Sequence, residues 1–457
     1  MIPLSNLQWG FFEVLFLIIV FAVGFVTTSL ILPNLIKFMK KKGFIGYDIH
    51  KNARPAVAES GGISMVIGVV VALLVLMICF PDFSNEILIF ILTIVSAGVI
   101  GFIDDRLKLR SLHKILLTIF TGGIIFLANY FGFITISTPT IPFLGKLRIH
   151  IIYPFVVPII VAIFANTVNM LEGYNGEGSG TCLIAMCFLF VCGIIFNSAQ
   201  GVIFAVPVIA VLIPFFLYNK FPAKIFPGDV GTLSMGAMIS CVMLFGSLEV
   251  AAFSALLIHI FNSFYVIRSV KGFMESDDIH GSKSDIILLE DDRIKASDRK
   301  DAVLTLPRLI LARGPLTEPE LTKNFFAISI FCGFFSILMT FLLLFTKGSF
   351  SLEEIIIIEF FFFAIFSIPS ALLLLYFPRI RGVITIMILL LVFGCFFLIL
   401  INQFVLPIQI PDINLGFVFV PVNVMISLIL AVPGIMIWYF ITIKYFWYEM
   451  NRMKDKE

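Results

Sequence analysis

A chain of 457 residues that is 60% hydrophobic and only 13% charged, where a soluble domain carries roughly 25% charge, cannot fold as a water-soluble globule; its solvent is a lipid bilayer. A net charge of +2 and the lack of a basic tract with interleaved aromatics exclude a nucleic-acid partner. The seven cysteines all lie inside apolar runs without metal spacing, so they read as small core residues rather than a disulfide or zinc framework.

Runs of about 17–25 apolar residues predict spanning helices. In chain order they fall near 10–36, 62–80, 86–103, 115–132, 151–170, 181–197, 200–218, 231–248, 250–267, 325–346, 355–376, 382–402 and 420–446. The expected fold class is therefore an all-α polytopic membrane protein with about 13 transmembrane helices. The first run lacks a basic n-region and is too long for a signal peptide, so it reads as a retained span.

Short loops rich in Lys and Arg stay cytoplasmic, and this sets the orientation. With the N-terminus outside, the inner segments hold 28 of the 31 basic residues, leaving Lys146, Arg148 and Lys347 on the outer side. The polar loops 40–62, 104–114, 169–180, 219–231 and 268–324 then all face the cytoplasm, where function is expected. Segment 268–324 reads as short strands and turns ending in an amphipathic interfacial piece at "LPRLILARGPLTEPELTKN".

The inner loops share carboxylates, amides, lysines and glycines. Asp104, Asp105, Asn166, Asn169, Glu172, Asn175, Glu177 and Asp229 are hard oxygen donors that suit Mg²⁺ or Mn²⁺. Lys51, Lys108, Lys114 and Lys224 stand beside them, and glycines such as Gly173 and Gly228 let backbone N–H groups approach phosphate. Together these describe phosphate chemistry. Singly, each motif has a plainer reading: adjacent aspartates as a solvated helix end, "NTVNMLEGYNGEGSG" as a polar hinge, "FPGDVG" as a turn, His280 as a loop histidine. What favours chemistry is that three acidic motifs fall at helix borders on one side. Asn166, Asn169 and Gly173, three and four apart, share one helix face, and a buried Asn169 amide needs a partner, although Asn166 could equally bond a neighbouring helix.

"DDRLK" (104–108), "NTVNMLEG" (166–173) and "FPGDVGTLSMG" (226–236), in that order and on one face, resemble the signatures of the polyprenyl-phosphate N-acetylhexosamine-1-phosphate transferases. The eukaryotic-type branch, the UDP-GlcNAc:dolichyl-phosphate GlcNAc-1-phosphotransferase, is the nearer likeness, because "YDIHK…PAVAESGG" (47–62), "LRSLHK" (109–114), "HIFNSFYVIRS" (259–269) and "LARGPLTEPELT" (311–322) resemble it too. The likeness covers 10–346, a ten-span unit; residues 347–457 have no counterpart in it and are either a lipid-facing addition or an oligomer surface, which makes a homodimer an open expectation.

The resemblance implies transfer of N-acetylhexosamine-1-phosphate, GlcNAc-1-phosphate first among candidates, from a UDP-N-acetylhexosamine to polyprenyl or dolichyl phosphate, with Mg²⁺ bound and UMP released. It would be a multi-pass protein of a prokaryotic plasma membrane or of the ER membrane, with a cytoplasmic site. It implies Asp229 and Asn169 on the metal side, Asp104 and Asp105 as the catalytic pair, and Lys114 and Lys108 on phosphate. It places Glu59, Lys51, Gly173, Asn175, Asn166 and His280 around the nucleotide and sugar. Glu172 stands where bacterial members carry Asp, and "DDIHGSKSD" offers only His280 and Lys283 where the family reads its sugar, so the sugar stays open. A UDP-MurNAc-pentapeptide transferase is the runner-up. A transporter is the rival from another class, disfavoured because the ionisable residues, His259 and Glu359 apart, fall at span borders.

Overall fold

The protein is described from a computed structural model. It covers residues 10–142, 145–146, 151–270, 284–347, 364, 366–389, 413–414, 419–420 and 422–454. Long apolar helices dominate, because a span must satisfy its own backbone hydrogen bonds in lipid. In order these are α1 (Phe11–Lys41), α2 (Gly62–Cys79), α3 (Ser84–Leu107), α4 (Ser111–Tyr130), α5 (Tyr153–Leu171), α6 (Glu177–Ile195), α7 (Ala199–Asn219) and α8 (Gly228–Gly246). Then come α9 (Glu249–Ala255), α10 (Leu257–Val270), the short α11 (Leu306–Leu311) and α12 (Glu318–Lys347). Among the described residues nine helices are long and apolar enough to cross a membrane, or up to eleven with two bent pairs. The bent pairs are α9 with α10, at 67°, and α13 (Phe366–Tyr376) with α14 (Pro378–Leu389), at 109°. Each of the ten apolar runs expected before residue 346 is thus helical, the ninth as the bent α9–α10 pair; a last helix, α15, runs Val422–Lys454. Much of the expected spans 355–376 and 382–402 lies outside the described residues.

Helix α8 is the hub: every residue from Val230 to Gly246 is buried, whereas α1 buries only Val20, Gly24, Thr28, Leu32 and Met39 and turns the rest of its surface outward. Close crossings at one end of α8 depend on small residues. A Cβ on Gly62 would lie 2.1 Å from the Gly231 nitrogen, and one on Gly101 would lie 2.4 Å from the Asp229 carbonyl oxygen. The first turn of α8 is therefore clasped between the start of α2 and the end of α3.

Between α1 and α2, β1 (Ile45–Tyr47) and β2 (Ala56–Ala58) form an antiparallel ladder with Gly46 opposite Val57. Its far strand also bridges Ile225 in parallel, tying it to the turn before α8. A short ladder of β3 (Thr140–Ile141) and β4 (Gly145–Lys146) closes the opposite end. The strands expected in 268–324 are β5 (Ile286–Leu288), β6 (Arg293–Ala296) and β7 (Leu316–Thr317), ordered β5-β6-β7. The amphipathic interfacial piece expected next is not what forms. All six residues of α11 are buried, because Arg308 finds backbone carbonyls inside and has no need of a solvent face; the helix that follows starts at Glu318 rather than 325.

Two large hydrophobic cores and two small clusters result among the described residues. The larger fills the bundle of α1–α9. The second joins Leu171 and Tyr174 to α10, the β5–β7 sheet, α11 and α12, and to Ile380, Ile384, Trp438 and Phe446 of the C-terminal helices.

Candidate active site

Consecutive residues on an α-helix diverge by about 100°, so the two aspartates in the last turn of α3 point to different partners. Asp104 turns inward: its carboxylate pairs with the Lys114 ammonium, both side chains being 2% exposed, while its Oδ1 accepts from the Leu109 N–H at 2.8 Å. Asp105 turns to α8, where its Oδ1 accepts from the Asp229 N–H at 2.7 Å and its Oδ2 accepts from the Ser60 hydroxyl at 2.7 Å. The Asp229 N–H belongs to the first turn of α8 and has no partner within that helix, so Asp105 caps a neighbouring helix. Ser60 sits with φ +57°, in the left-handed region. The next two amides, Gly61 and Gly62, donate to the carbonyls of Phe226 and Pro227 at 2.8 and 2.9 Å. Such a conformation persists where the surroundings over-determine it.

The Asp229 carboxylate lies at the positive end of α8. Its Oδ1 accepts from the Asn169 amide at 2.5 Å and its Oδ2 from Lys114 Nζ at 3.2 Å. Asn169 donates also to the Thr232 hydroxyl at 2.8 Å, so both bonds use Nδ2 and its carbonyl oxygen remains for another partner. Asn166, one turn earlier on α5, donates to Thr118 Oγ1 and to the Ala162 carbonyl, each at 2.8 Å; this is an interhelical bond rather than a contact with the acids. Of the basic residues that follow the aspartates, Lys114 reaches them. Lys108 is the exposed left-handed C-cap of α3, and Arg106 lays its guanidinium over the Phe44 ring. The structure therefore brings Asp104, Asp105, Lys114, Asn169 and Asp229 into one cluster from α3, α4, α5 and α8. Glu59 immediately precedes Ser60, close to Gly46.

A second cluster lies beyond the β1–β2 ladder. Lys51 pairs with Asp48 and, at 3.2 Å, with Glu318. The Asn175 N–H donates to Glu318 Oε1 at 2.7 Å and its side-chain amide donates to Asp48 Oδ2 at 3.0 Å. His50 stacks on Tyr174 with ring centroids 4.3 Å apart. Ligand atoms of Asp48, His50 and Glu318 lie within 4.8 Å of one another, with Lys51 supplying the cation. Gly173 and Tyr174 donate their N–H groups to the buried Glu177 carboxylate at 3.1 and 3.2 Å. Glu172, between α5 and α6, accepts from the Gly178 N–H at 2.7 Å. Burial pushes its carboxyl up to about 8, an effect the Gly178 bond only partly offsets. His280 lies outside the described residues.

Oxygen donors on Asp229 and Asn169, with an ammonium already drawn to the same carboxylate, form a set that fits a hard divalent cation and lacks the sulfur or imidazole a softer metal selects. The arrangement can bind anionic phosphate oxygens through Lys114, hold a cation on the oxygens, and accept a proton on a carboxylate.

The glycosyl transferase family 4 model matches residues 87–247. A protein of Sulfolobus acidocaldarius, provisionally named a UDP-N-acetylglucosamine–dolichyl-phosphate N-acetylglucosaminephosphotransferase, is 33% identical over 238 residues, spanning 50% of this chain and 71% of its own length. The chain belongs to glycosyl transferase family 4. Other relatives of this family 4 protein include a phospho-N-acetylmuramoyl-pentapeptide-transferase of Clostridium botulinum, 31% identical over 49% of this chain and 71% of its own. A glycosyltransferase, also provisionally named, from Methanocaldococcus jannaschii is 29% identical over 70% of this chain and 95% of its own. These relatives make the family 4 protein a polyprenyl-phosphate hexosamine-1-phosphate transferase of the membrane, related to the dolichyl type.

Residues that sequence reasoning missed are Ser60, Thr232, Asp48, His50 and Glu318. Asp48 and His50 stand in "YDIHK" and Glu318 in "LTEPELT", both stretches that carry the resemblance. A single hydroxyl such as Ser60 or Thr232 has no sequence signal of its own.

Proposed function

We propose that this family 4 transferase moves N-acetylglucosamine-1-phosphate from UDP-GlcNAc to dolichyl or a related polyprenyl phosphate on the cytoplasmic side of its membrane. The observation that carries the reading is the convergence of Asp104, Asp105, Lys114, Asn169 and Asp229 from four helices. The GlcNAc and dolichyl assignment is supported by the two archaeal relatives of that name, at 33% and 32% identity. The cytoplasmic side, with the N-terminus outside, is supported by 28 of 31 basic residues falling on one face.

An oxygen of the lipid phosphate attacks the β-phosphorus of the nucleotide sugar. A P–O bond forms there, the bond from the β-phosphorus to the bridging oxygen breaks, and UMP leaves with that oxygen. The acceptor is a phosphomonoester with a second pKa of about 6, so it is largely a dianion at neutral pH and needs little activation. The main work is bringing two anions together. Lys114, buried and paired with Asp104 and Asp229, would supply the ammonium that meets the phosphates. Mg²⁺, held by Asp229 and Asn169, would neutralise the diphosphate. Asp105, oriented by Ser60 and the Asp229 N–H, accepts any residual proton. By the resemblance, Asn175, Gly173 and Lys51 would serve the nucleotide and Glu59 and His280 the sugar, His280 lying outside the described residues; Lys108, exposed at the end of α3, would meet phosphate at the membrane border. The transferase unit is residues 1–346.

Purified protein with Mg²⁺, dolichyl or undecaprenyl phosphate and a panel of radiolabelled UDP-sugars tests this. Lipid-linked GlcNAc with stoichiometric UMP is expected. Product from UDP-MurNAc-pentapeptide alone would move the protein to the other named branch, and solute accumulation in proteoliposomes without UMP release would make it a transporter.

A further inference from the structure

The C-terminal helices have no counterpart in the resemblance, yet they are built into the core next to the site. Trp438 of α15 stacks on Phe261 and Tyr265 of α10, with centroids 5.0 and 5.2 Å apart and planes at 30° and 15°. Its indole N–H donates to the Ile386 carbonyl of α14 at 3.0 Å, so the ring is fixed from behind. Further along, Arg313 pairs with Glu449 at 3.4 Å, Arg379 donates to the Gly314 carbonyl at 2.7 Å, and the Arg308 guanidinium lies over the Phe446 ring at 4.6 Å. The extension thus grips both α10 and the α11–β7 segment.

Between Phe261 and Tyr265 stands Asn262, 3% exposed. Its amide donates to the Met170 carbonyl at 3.0 Å and its side-chain oxygen accepts from the Leu306 N–H at 2.9 Å. Met170 lies in the last turn of α5 and Leu306 opens α11, so the one side chain satisfies a carbonyl and an N–H that helix geometry leaves without intrahelical partners. Met170 is the neighbour of Asn169, whose amide rests on Asp229.

We propose that Asn262 is a positioning residue for Asn169, and that α14 and α15 serve as an internal brace that holds α10, and with it Asn262, in place through Trp438. The effect runs Trp438 to α10 to Asn262 to the Met170 carbonyl, and so to the angle at which α5 presents Asn169 to the cation held with Asp229. This rests on the metal-side role proposed above for Asn169.

The test uses full-length protein in detergent or nanodiscs, with Mn²⁺ as probe, followed by calorimetry or by the EPR signal of free Mn²⁺. Asn262→Ala and Trp438→Ala are expected to weaken Mn²⁺ binding about tenfold to a hundredfold, the range for groups that orient a metal ligand. The Mg²⁺ needed for half-maximal transfer should rise in parallel, with KM for lipid phosphate unchanged. Trp438→Phe, which keeps the stacking, should restore most of the binding. Folded Asn262→Ala protein, with the wild-type gel-filtration profile, that binds Mn²⁺ as tightly as wild type overturns the proposal. So does equal weakening by Trp438→Phe and Trp438→Ala. Wild-type protein that binds Mn²⁺ at Asp229 but transfers no sugar from any donor would count against the transferase reading alone.

Discussion

The Asp229 backbone N–H donates to the Asp105 carboxylate at 2.7 Å, so a side chain from the last turn of α3 caps the first turn of α8. This leaves the Asp229 carboxylate free to turn toward Lys114 and Asn169. Asp105→Asn keeps an oxygen for the N–H but removes the charge. Transfer rates should fall by about 10² to 10⁴-fold with little loss of thermal stability, as expected for a carboxylate acting on protons or charge in the reaction. Unchanged kcat with UDP-GlcNAc in the folded variant would remove Asp105 from the chemistry.

Ser60→Ala separates orientation from chemistry. The lost hydroxyl donor to Asp105 is a single hydrogen bond to a charged group, worth about 1.5–3 kcal/mol, which corresponds to roughly 10- to 150-fold if it is expressed in the reaction. A smaller loss of kcat than for Asp105→Asn, with KM for UDP-GlcNAc nearly constant, is the expected result of steady-state kinetics.

The Lys114–Asp104 pair sits with both side chains 2% exposed. Removing Lys114 leaves the Asp104 carboxylate as an uncompensated buried charge, which costs about 3–5 kcal/mol, whereas removing Asp104 leaves Lys114 its second partner, Asp229, and costs less. Lys114→Met and Asp104→Asn should each lower the unfolding temperature and abolish transfer, while the double variant should recover part of the stability and none of the activity. A thermal melt and a turnover assay on the three proteins decide this, and additive destabilisation in the double variant would show that the pair is not coupled.

Gly228 has φ +64°, and a Cβ there would stand 2.6 Å from Asp105 Oδ2. Gly228→Ala meets strain in the backbone and a clash at the carboxylate together. The variant is expected to lose at least tenfold in kcat even where it folds, whereas Gly123→Ala, at a position with nothing within 4 Å of the added Cβ, should behave as wild type.

Much of this was legible in the sequence because hydropathy and border acids are local signals. The ten spans before residue 346 follow from apolar runs that lipid makes obligatory, and Asp104, Asp105, Asn169 and Asp229 stood out as polar groups at the ends of such runs. The partners that hold them did not. Ser60 reaches Asp105 across 45 positions of sequence, and Glu318 reaches Asn175 across 143; neither has a period or a spacing to betray it. Lys108 and Lys114, six apart in one basic stretch, looked alike on charge. The left-handed end of α3 sends Lys108 outward and the first turn of α4 sends Lys114 in. The buried state of α11 was hidden for the opposite reason, since Arg308 marks a surface helix in sequence but here donates to the carbonyls of Ser297, Arg299, Ala302 and Val303.

The last prediction concerns pH. Burial raises the Glu172 carboxyl from its ordinary 4.5 to about 8, so between those values the folded protein keeps a proton that the unfolded chain gives up. The folded state then binds more protons, and stability must fall as pH rises through that window before levelling off above it. Glu172→Gln carries an amide at every pH and lacks this contribution. Unfolding temperatures measured from pH 5 to 9 should therefore converge for the two proteins near pH 5, and the variant should become the more stable of the two by pH 8. Parallel curves across the whole range would mean that Glu172 is ionised in the folded protein and that its bond from Gly178 outweighs its burial.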